Sequence, residues 1–345
     1  AMEKSGGHGG QDIRALQDIW DLQRGPGLSL CVRSNNTPSF PLAGACGWSP
    51  QWRRFPMPEL SPDTFWLVRF FHDLATHAYW RHAILGGLII AAVCSLLSVY
   101  VVLKRMAFIG QGISHSALGG MALGWYLFAG SEVKVFGTAI VFCVAVAFLI
   151  AAITRQSRIS EDSAIGILFV ASMAFGAVLL YVNKGYTPDI YGLLFGSIMA
   201  MTRSDLMGIA LLATLVALPL LLLQKELLFY TFDESMARIS GLPVGFLHYM
   251  LLTLLAVTII VSAKLVGILL VSAFLILPGA TAHLSTSRFT HMLVASVVFG
   301  LTTTLAGLLL SDYLDWPSGP SIVLVQFGVF LVAFGLRRLK GDMVA

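Results

Sequence analysis

The chain has 345 residues, of which 57% are hydrophobic and only 12% are charged, and its formal net charge is +4. Soluble domains carry about 25% charged residues, so this composition leaves too little polar surface for a water-soluble protein of this size. The basic residues stand at the ends of apolar runs and are not interleaved with aromatic residues, which excludes a nucleic-acid-binding surface. The apolar surplus is therefore expected to face lipid.

Residues 1–60 differ from the rest of the chain because they are rich in Gly, Pro, Ser, Gln and Arg and lack a sustained period. This composition predicts a disordered or non-native extension. Residues 61–81 mix aromatic and polar side chains, which suits a helix lying at the membrane interface. The membrane domain is predicted over residues 82–340.

Nine apolar runs of roughly 20 residues follow, each near the length that a helix needs to cross a bilayer. They are residues 82–103, 110–129, 135–153, 163–182, 205–223, 246–262, 265–283, 290–311 and 320–336. The long run 246–283 is divided at Lys264, the only Lys, Arg, Asp or Glu within it. The run 189–201 is too short to cross comfortably and is predicted to be re-entrant or interfacial. The fold class predicted is all-α, a polytopic membrane helical bundle of about eight or nine transmembrane helices.

Lysine and arginine residues predict the orientation of these spans. With the first connection inside and the spans alternating, ten basic residues lie inside and four outside, which fits the positive-inside rule. The inside group is Lys104, Arg105, Arg155, Arg158, Lys225, Arg238, Arg288, Arg337, Arg338 and Lys340. The carboxyl end is therefore expected to be cytosolic.

The second span begins with the sequence GQGISHSALGG at residues 110–120. Small residues recur every four positions in this span, at Gly112, Ser116, Gly120 and Gly124. On a helix they form a single stripe that lets another backbone approach closely. We therefore predict a helix-packing surface along this stripe.

Gln111 and His115 form a second pair four residues apart, so their side chains point the same way on a helix. An imidazole within a membrane span is costly and seldom faces lipid. Its neutral nitrogen can bind a borderline metal such as Zn²⁺ or Mn²⁺, and a hydrogen bond to a neighbouring helix is the alternative. His283 is a second candidate for a pathway residue, and Pro278-Gly279 is expected to break its span and free backbone carbonyls.

The polar segment 233–243 is the longest polar interruption after the amino-terminal region. It is predicted to be a short cytosolic amphipathic helix that stops at Gly241, with Pro243 just beyond, and a solvated loop is the alternative. No phosphate-binding G-x-x-x-x-G-K-[ST] motif, HExxH or GxSxG occurs in the chain. The chain is therefore not expected to be an enzyme.

The sequence resembles the metal-ion ABC permease family, the membrane subunits of bacterial zinc, manganese and iron importers. Four stretches carry the resemblance: VVLKRMAFIGQGISHSALGG at 101–120, EDSAIGILFVASMAFGAVLL at 161–180, the segment 233–243 with AKLVGILLVSAFLILPGATAHL at 263–284, and LDWPSGPSIVLV at 314–325. Together they cover most of residues 80–340, whereas residues 1–60 have no counterpart.

This resemblance implies an ABC importer permease in the bacterial inner membrane that transports a divalent metal ion (zinc or manganese, or else iron) and has no bound cofactor. It implies a homodimer, cytosolic ATPase subunits that use ATP, and an extracytoplasmic metal-binding protein. The match makes 233–243 the coupling helix, with Asp233, Glu234, Ala237, Arg238 and Gly241 expected to meet the ATPase. His115 matches the family histidine thought to meet the metal, whereas Gln111 stands where the family usually has Asp. An ion-coupled secondary transporter and an ABC permease for a metal chelate remain the alternatives.

Overall fold

A computed structural model describes residues 78–128, 131–156, 159–182, 196, 198 and 201–342. The predicted extension over 1–60, most of the predicted interfacial helix over 61–81 and most of the run 189–201 lie outside these residues. Residues 78–81 form the first turn of the first membrane helix.

Eleven helices account for nearly all of the described residues. They are α1 (Ala78–Leu103), α2 (Ile109–Leu127), α3 (Glu132–Gln156), α4 (Glu161–Val182), α5 (Arg203–Leu222), α6 (Gln224–Phe232), α7 (Glu234–Ile239), α8 (Val244–Val266), α9 (Ile268–Ser285), α10 (Phe289–Leu314) and α11 (Ser318–Asp342). Eight of them are long and apolar enough to cross a membrane, and α2 is a ninth long helix of more mixed composition. The prediction of an all-α, multi-pass membrane bundle is confirmed.

The helix ends sort onto two faces of the bundle. A cavity at one end is lined by the last turns of α1 and α6, the end of α9, the start of α10 and Arg337 of α11. The Lys104 ammonium pairs there with Glu234 at 3.8 Å. At the other end, Lys264 stands over the Phe136 ring, 4.5 Å from its centroid, near the start of α3. We call the first end the Lys104 face; Lys104, Arg238 and Arg337, which are among the basic residues predicted to be cytosolic, stand on it.

The end of α4 and the start of α5 lie on the same side of the bundle. Glu161, at the start of α4, lies within electrostatic range of Lys104, so the far end of α4 is on the opposite face. Asp205, in the first turn of α5, lies near Lys264 on that opposite face. Helix α4 therefore ends, and helix α5 begins, on the face opposite Lys104, in keeping with the alternation predicted from the basic residues.

The division of the run 246–283 at Lys264 is wrong by three residues. Lys264 belongs to the last turn of α8, and the helices separate at Gly267, whose φ is +88°. A side chain at this φ would be strained, so glycine permits the reversal. Lys264 stays helical because its ammonium finds the Phe136 ring face, a favourable cation–π contact.

The expected break at Pro278-Gly279 is also wrong, because α9 runs through both residues from Ile268 to Ser285. Proline has no N–H to donate to the carbonyl one turn earlier, so one backbone hydrogen bond of the helix is missing there. The Gly279 N–H is satisfied across the helix interface, where it donates to Ser98 Oγ of α1 at 2.8 Å. The neighbouring helix therefore maintains α9 at a position where the sequence alone suggests an interruption.

Helix α2 packs closely against α3 and α4. A Cβ added to Gly120 would lie 2.9 Å from Ala139 Cα of α3, and one added to Gly124 would lie 2.8 Å from Val135 Cα. On the other side, a Cβ at Gly119 would lie 2.7 Å from the Ser172 carbonyl oxygen of α4. The Ser116 hydroxyl donates a hydrogen bond to the Gly112 carbonyl of the same helix at 2.8 Å, so it needs no partner on a neighbouring helix.

We expect Gly120→Ala to lower the melting temperature of the purified protein, because the new methyl group meets the α3 backbone with no room to relax. Overpacking of this kind costs about 1–3 kcal/mol. Thermal unfolding in detergent is the measurement. Gly137→Ala is the matched control, since a Cβ at Gly137 in α3 has nothing within 4 Å; equal melting temperatures for the two variants would contradict the packing argument.

Candidate functional site

One face of α2 is not covered by the other residues that the structure describes. Gln111 is exposed and His115 is half-buried, one helical turn further along the same face, and Phe108 just before the helix is also exposed. The opposite face carries the buried glycines and serines. The structure therefore brings Gln111 and His115 together at an open surface of the bundle.

The His115 ring contacts an aromatic ring of α4, and its Nδ1 has no hydrogen-bond partner in the described part of the chain. It packs edge-on against Phe169 of α4, with ring centroids 5.2 Å apart. Its Nδ1 atom is buried and accepts or donates no hydrogen bond among the described residues. The alternative of a histidine hydrogen-bonded to a neighbouring helix therefore finds no support at Nδ1 within the described residues.

His283 lies apart from His115. Helix α2 touches α9 near Leu275, where a Cβ on Gly110 would lie 3.2 Å from the Leu275 side chain. Leu275 precedes His283 by about 12 Å of helical rise. His283 is exposed on the Lys104 face and lines a cavity of about 290 Å³ with Phe232, Phe289 and Arg337 among others.

No group of three or more His, Cys, Asp or Glu side chains close enough to hold a metal ion occurs among the described residues. Gln111 and His115 supply one amide oxygen and one imidazole, which is fewer ligands than a stable zinc site has. In a single chain, this face could make only weak contact with an ion. Weak contact is what a conduction pathway requires, since an ion must also leave.

The segment 233–243 forms the short helix α7 on the Lys104 face. Asp233 caps its start by accepting the Met236 N–H at 2.9 Å. At the other end, Gly241 has φ +80° and the Leu242 N–H reaches back to the Ala237 carbonyl at 3.1 Å. The helix therefore ends at Gly241, as predicted, and Pro243 immediately precedes α8.

The outer surface of α7 combines apolar and charged side chains. Ile239 is 79% exposed and Met236 is 50% exposed, while Arg238 pairs along the helix with Glu234 at 3.2 Å. Ala237 is fully buried against the bundle. A six-residue helix that buries one alanine and presents two apolar side chains to solvent is suited to contact another protein.

Polar residues that the sequence analysis did not single out lie directly behind α7. His248 of α8 is within 2.6 Å of the Tyr230 hydroxyl of α6 and within 3.3 Å of Thr154 Oγ1 of α3. The Lys104 ammonium stands 3.6 Å from the centroid of the Tyr230 ring. The sequence does contain a signal for His248, because a histidine inside an apolar span is by default a candidate functional residue.

Burial lowers the pKa of the Lys104 ammonium, whereas the Glu161 and Glu234 carboxylates raise it. Burial also raises the pKa of the Tyr230 hydroxyl. The tyrosine therefore stays protonated and can donate a hydrogen bond throughout the physiological range. The charges on this side of the bundle are concentrated where α1, α4 and α7 meet.

The profile of the ABC 3 transport family matches residues 76–337. The manganese transport system membrane protein MntC of Halalkalibacterium halodurans is 37% identical over 278 residues, covering 80% of this chain and 93% of that protein. The chelated iron transport system membrane protein YfeD of Yersinia pestis is 35% identical over 264 residues, covering 76% and 87%. The solved structure of PsaBC from Streptococcus pneumoniae in complex with Fab superposes with a TM-score of 0.67 at 32% identity, covering 77% of this chain and 95% of that one.

We expect Asp233→Ala to expose the start of α7, because the Met236 N–H loses its acceptor. Losing an N-cap costs about 0.5–2 kcal/mol. Hydrogen exchange measured by mass spectrometry on the peptide that contains Met236 should be several-fold faster. Ser235→Ala, at an exposed position in the same helix, should leave exchange unchanged; faster exchange in both variants would show that the cap is not the cause.

Proposed function

Because this chain belongs to the ABC 3 transport family, we propose that it is the membrane-spanning subunit of an ATP-driven importer of divalent transition-metal ions. Zinc, manganese and iron are the ions proposed, since all three are borderline cations that bind imidazole and amide or carboxylate oxygen. The names of the manganese and chelated-iron relatives support this substrate class. Energy for transport would come from partner subunits that bind and hydrolyse ATP.

The observation that carries this proposal is α7. It stands on the Lys104 face, presents Met236 and Ile239 to solvent, and is joined to the membrane helices through the Lys104–Glu234 pair. We infer that Asp233, Glu234, Ala237, Arg238 and Gly241 build the helix that meets a cytosolic ATPase subunit. The buried Ala237 would hold the helix against the bundle, and the exposed side chains would contact the partner subunit.

The metal would pass along the open face of α2. Gln111 and His115 offer one neutral oxygen and one nitrogen there, and their position at an open surface one helical turn apart supports a ligand role. A second copy of the chain, facing this surface, would supply further ligands and close the pathway from lipid. A homodimer is therefore proposed, with an extracytoplasmic metal-binding protein delivering the ion to the face opposite Lys104. His283 would stand near the cytosolic exit.

Gln111 bears on which metal is carried. An amide oxygen is neutral, so it attracts a hard cation less strongly than the carboxylate that the family usually has at this position. The imidazole of His115 then becomes the stronger of the two ligands. This pairing favours a borderline ion and argues against Mg²⁺ or Ca²⁺ as the cargo.

The distribution of carboxylates argues against an ion-coupled secondary transporter. Such a transporter needs acidic side chains within its spans as coupling sites. In the nine long helices that the structure describes, every carboxylate lies within three residues of a helix end. These residues are Glu132, Glu161, Asp162, Asp205, Asp312 and Asp342.

The complete transporter provides the direct test. The chain would be purified with its proposed ATPase and metal-binding protein partners, reconstituted in liposomes, and supplied with Mn²⁺, Zn²⁺, Fe²⁺ or a ferric chelate. We expect ATP-dependent uptake of at least one free divalent ion. Uptake of the chelate alone would replace the proposed substrate with a metal chelate, and ATP hydrolysis without uptake of any metal would refute the proposed function.

We expect His115→Ala to reduce metal uptake by the complete transporter at least tenfold, because the pathway loses its only imidazole on the open face of α2. Binding-protein docking and basal ATP hydrolysis should be retained. His291→Ala is the control, since His291 is exposed at the start of α10 on the Lys104 face. Unchanged uptake by His115→Ala would remove this residue from the pathway.

We expect Ile239→Glu to weaken assembly with the ATPase, because a carboxylate would replace an exposed apolar side chain at the proposed interface. Truncating or charging a central contact typically costs 2 kcal/mol or more, about 30-fold in affinity. Co-purification of the two subunits measures this. Thr290→Glu adds the same charge on the same face outside α7 and should leave assembly intact; equal loss in both variants would point to a general charge effect.

A further inference from the structure

We propose that Tyr230 and His248 are positioning residues that transmit movement of α7 to the membrane helices α3 and α8. The proposal rests on the proposed function, because it assigns α7 to the ATPase contact. It adds a defined physical connection between that contact and the helices that must move. The connection consists of a directed chain of hydrogen bonds and one ion pair.

The hydrogen bonds have one arrangement that satisfies every group. Thr154 Oγ1 lies 3.0 Å from the Ile150 carbonyl oxygen and 3.1 Å from that of Ala151, so its proton is directed to the backbone. Thr154 then accepts from His248 Nε2–H at 3.3 Å. His248 is neutral in this tautomer, and its Nδ1 accepts the Tyr230 O–H at 2.6 Å. The chain runs from α6 through α8 to α3.

Burial makes this chain a rigid connection. Tyr230 is 1% exposed and His248 is 5% exposed. The Tyr230–His248 bond is buried, whereas the Thr154–His248 bond is partly buried, so breaking the first leaves a polar group unpaired in an apolar setting. Movement that keeps the three helices together is therefore favoured over movement that pulls them apart.

Lys104 adds a second connection on the same tyrosine. Its ammonium lies over the Tyr230 ring and also pairs with Glu234 in the first turn of α7. The lysine side chain is only 11% exposed, so this ion pair is screened by solvent less than a surface pair would be. The Lys104 ammonium therefore connects the end of α1 to the Tyr230 ring of α6 and to the start of α7.

The backbone links α7 to this cluster with little slack. Asp233 is both the last flanking residue of α6 and the capping residue of α7. A displacement of α7 must therefore move the end of α6, where Tyr230 lies three residues earlier. Through His248, that displacement reaches α8 and the last turn of α3. The backbone at Pro243 already joins α7 to α8, so the hydrogen bonds add the connection to α3 and fix the end of α6 against α8.

Metal uptake per ATP hydrolysed, measured with the complete transporter in liposomes, tests this role. Tyr230→Phe removes only the hydroxyl, and we expect the ratio of uptake to hydrolysis to fall by about three- to tenfold, as for loss of one buried hydrogen bond. Tyr100→Phe is the matched control, because Tyr100 is 1% exposed in α1 and makes no hydroxyl hydrogen bond among the described residues. Its ratio should be unchanged.

Substitutions at His248 extend the test if Tyr230→Phe does not assemble. His248→Gln keeps an acceptor for Tyr230 and a donor for Thr154, so its ratio of metal uptake to ATP hydrolysis should stay close to that of the wild type. His248→Leu keeps neither group, so its ratio should fall. Equal ratios for wild type, Tyr230→Phe and His248→Leu would overturn the proposal while leaving the proposed function intact. Absence of metal uptake by the wild-type transporter would remove the proposed function and this inference with it.

Discussion

Close approach of the α2 backbone to α3 and α4 is the constraint on which the rest of the bundle depends. Lipid provides no hydrophobic force between helices, so association in a membrane relies on packing and on polar contacts. Glycines on two sides of α2 let Ala139 and Ser172 come against its backbone. The helix of mixed composition is thereby enclosed by more apolar ones, and His115 is held at the bundle surface by Phe169.

The same close packing separates two regions with different chemistry. Along the first two turns of α2, an open face offers Gln111 and His115. At the Lys104 face, Lys104, Glu161 and Glu234 meet at the ends of three helices. In a transporter of the ABC 3 family, the first region suits an ion that must bind weakly, and the second suits contact with a partner that supplies energy. Helix α8 reaches the second region through His248.

Membrane helices and short polar segments were predictable because each depends on local composition. The stripe of small residues on α2 was visible from its period of four, although the sequence did not indicate which neighbour each residue meets: Gly120 faces α3, whereas Gly119, outside the stripe, faces Gly176 of α4. Charge alone predicts the turn at Lys264, whereas the turn lies at Gly267 because its positive φ is a conformation that glycine adopts readily. The role of α7 and the metal contact of His115 stay predictions.

The sequence by itself determined that the chain spans a membrane repeatedly, which end of the bundle carries the basic residues, and where a short capped helix interrupts the apolar runs. These follow from the cost of placing polar groups in hydrocarbon, which acts on each segment separately. Only the tertiary structure decided that α9 continues through Pro278 and that Thr154 meets His248, 94 positions along the chain. Such contacts depend on the rotation and register of packed helices, which no single segment encodes.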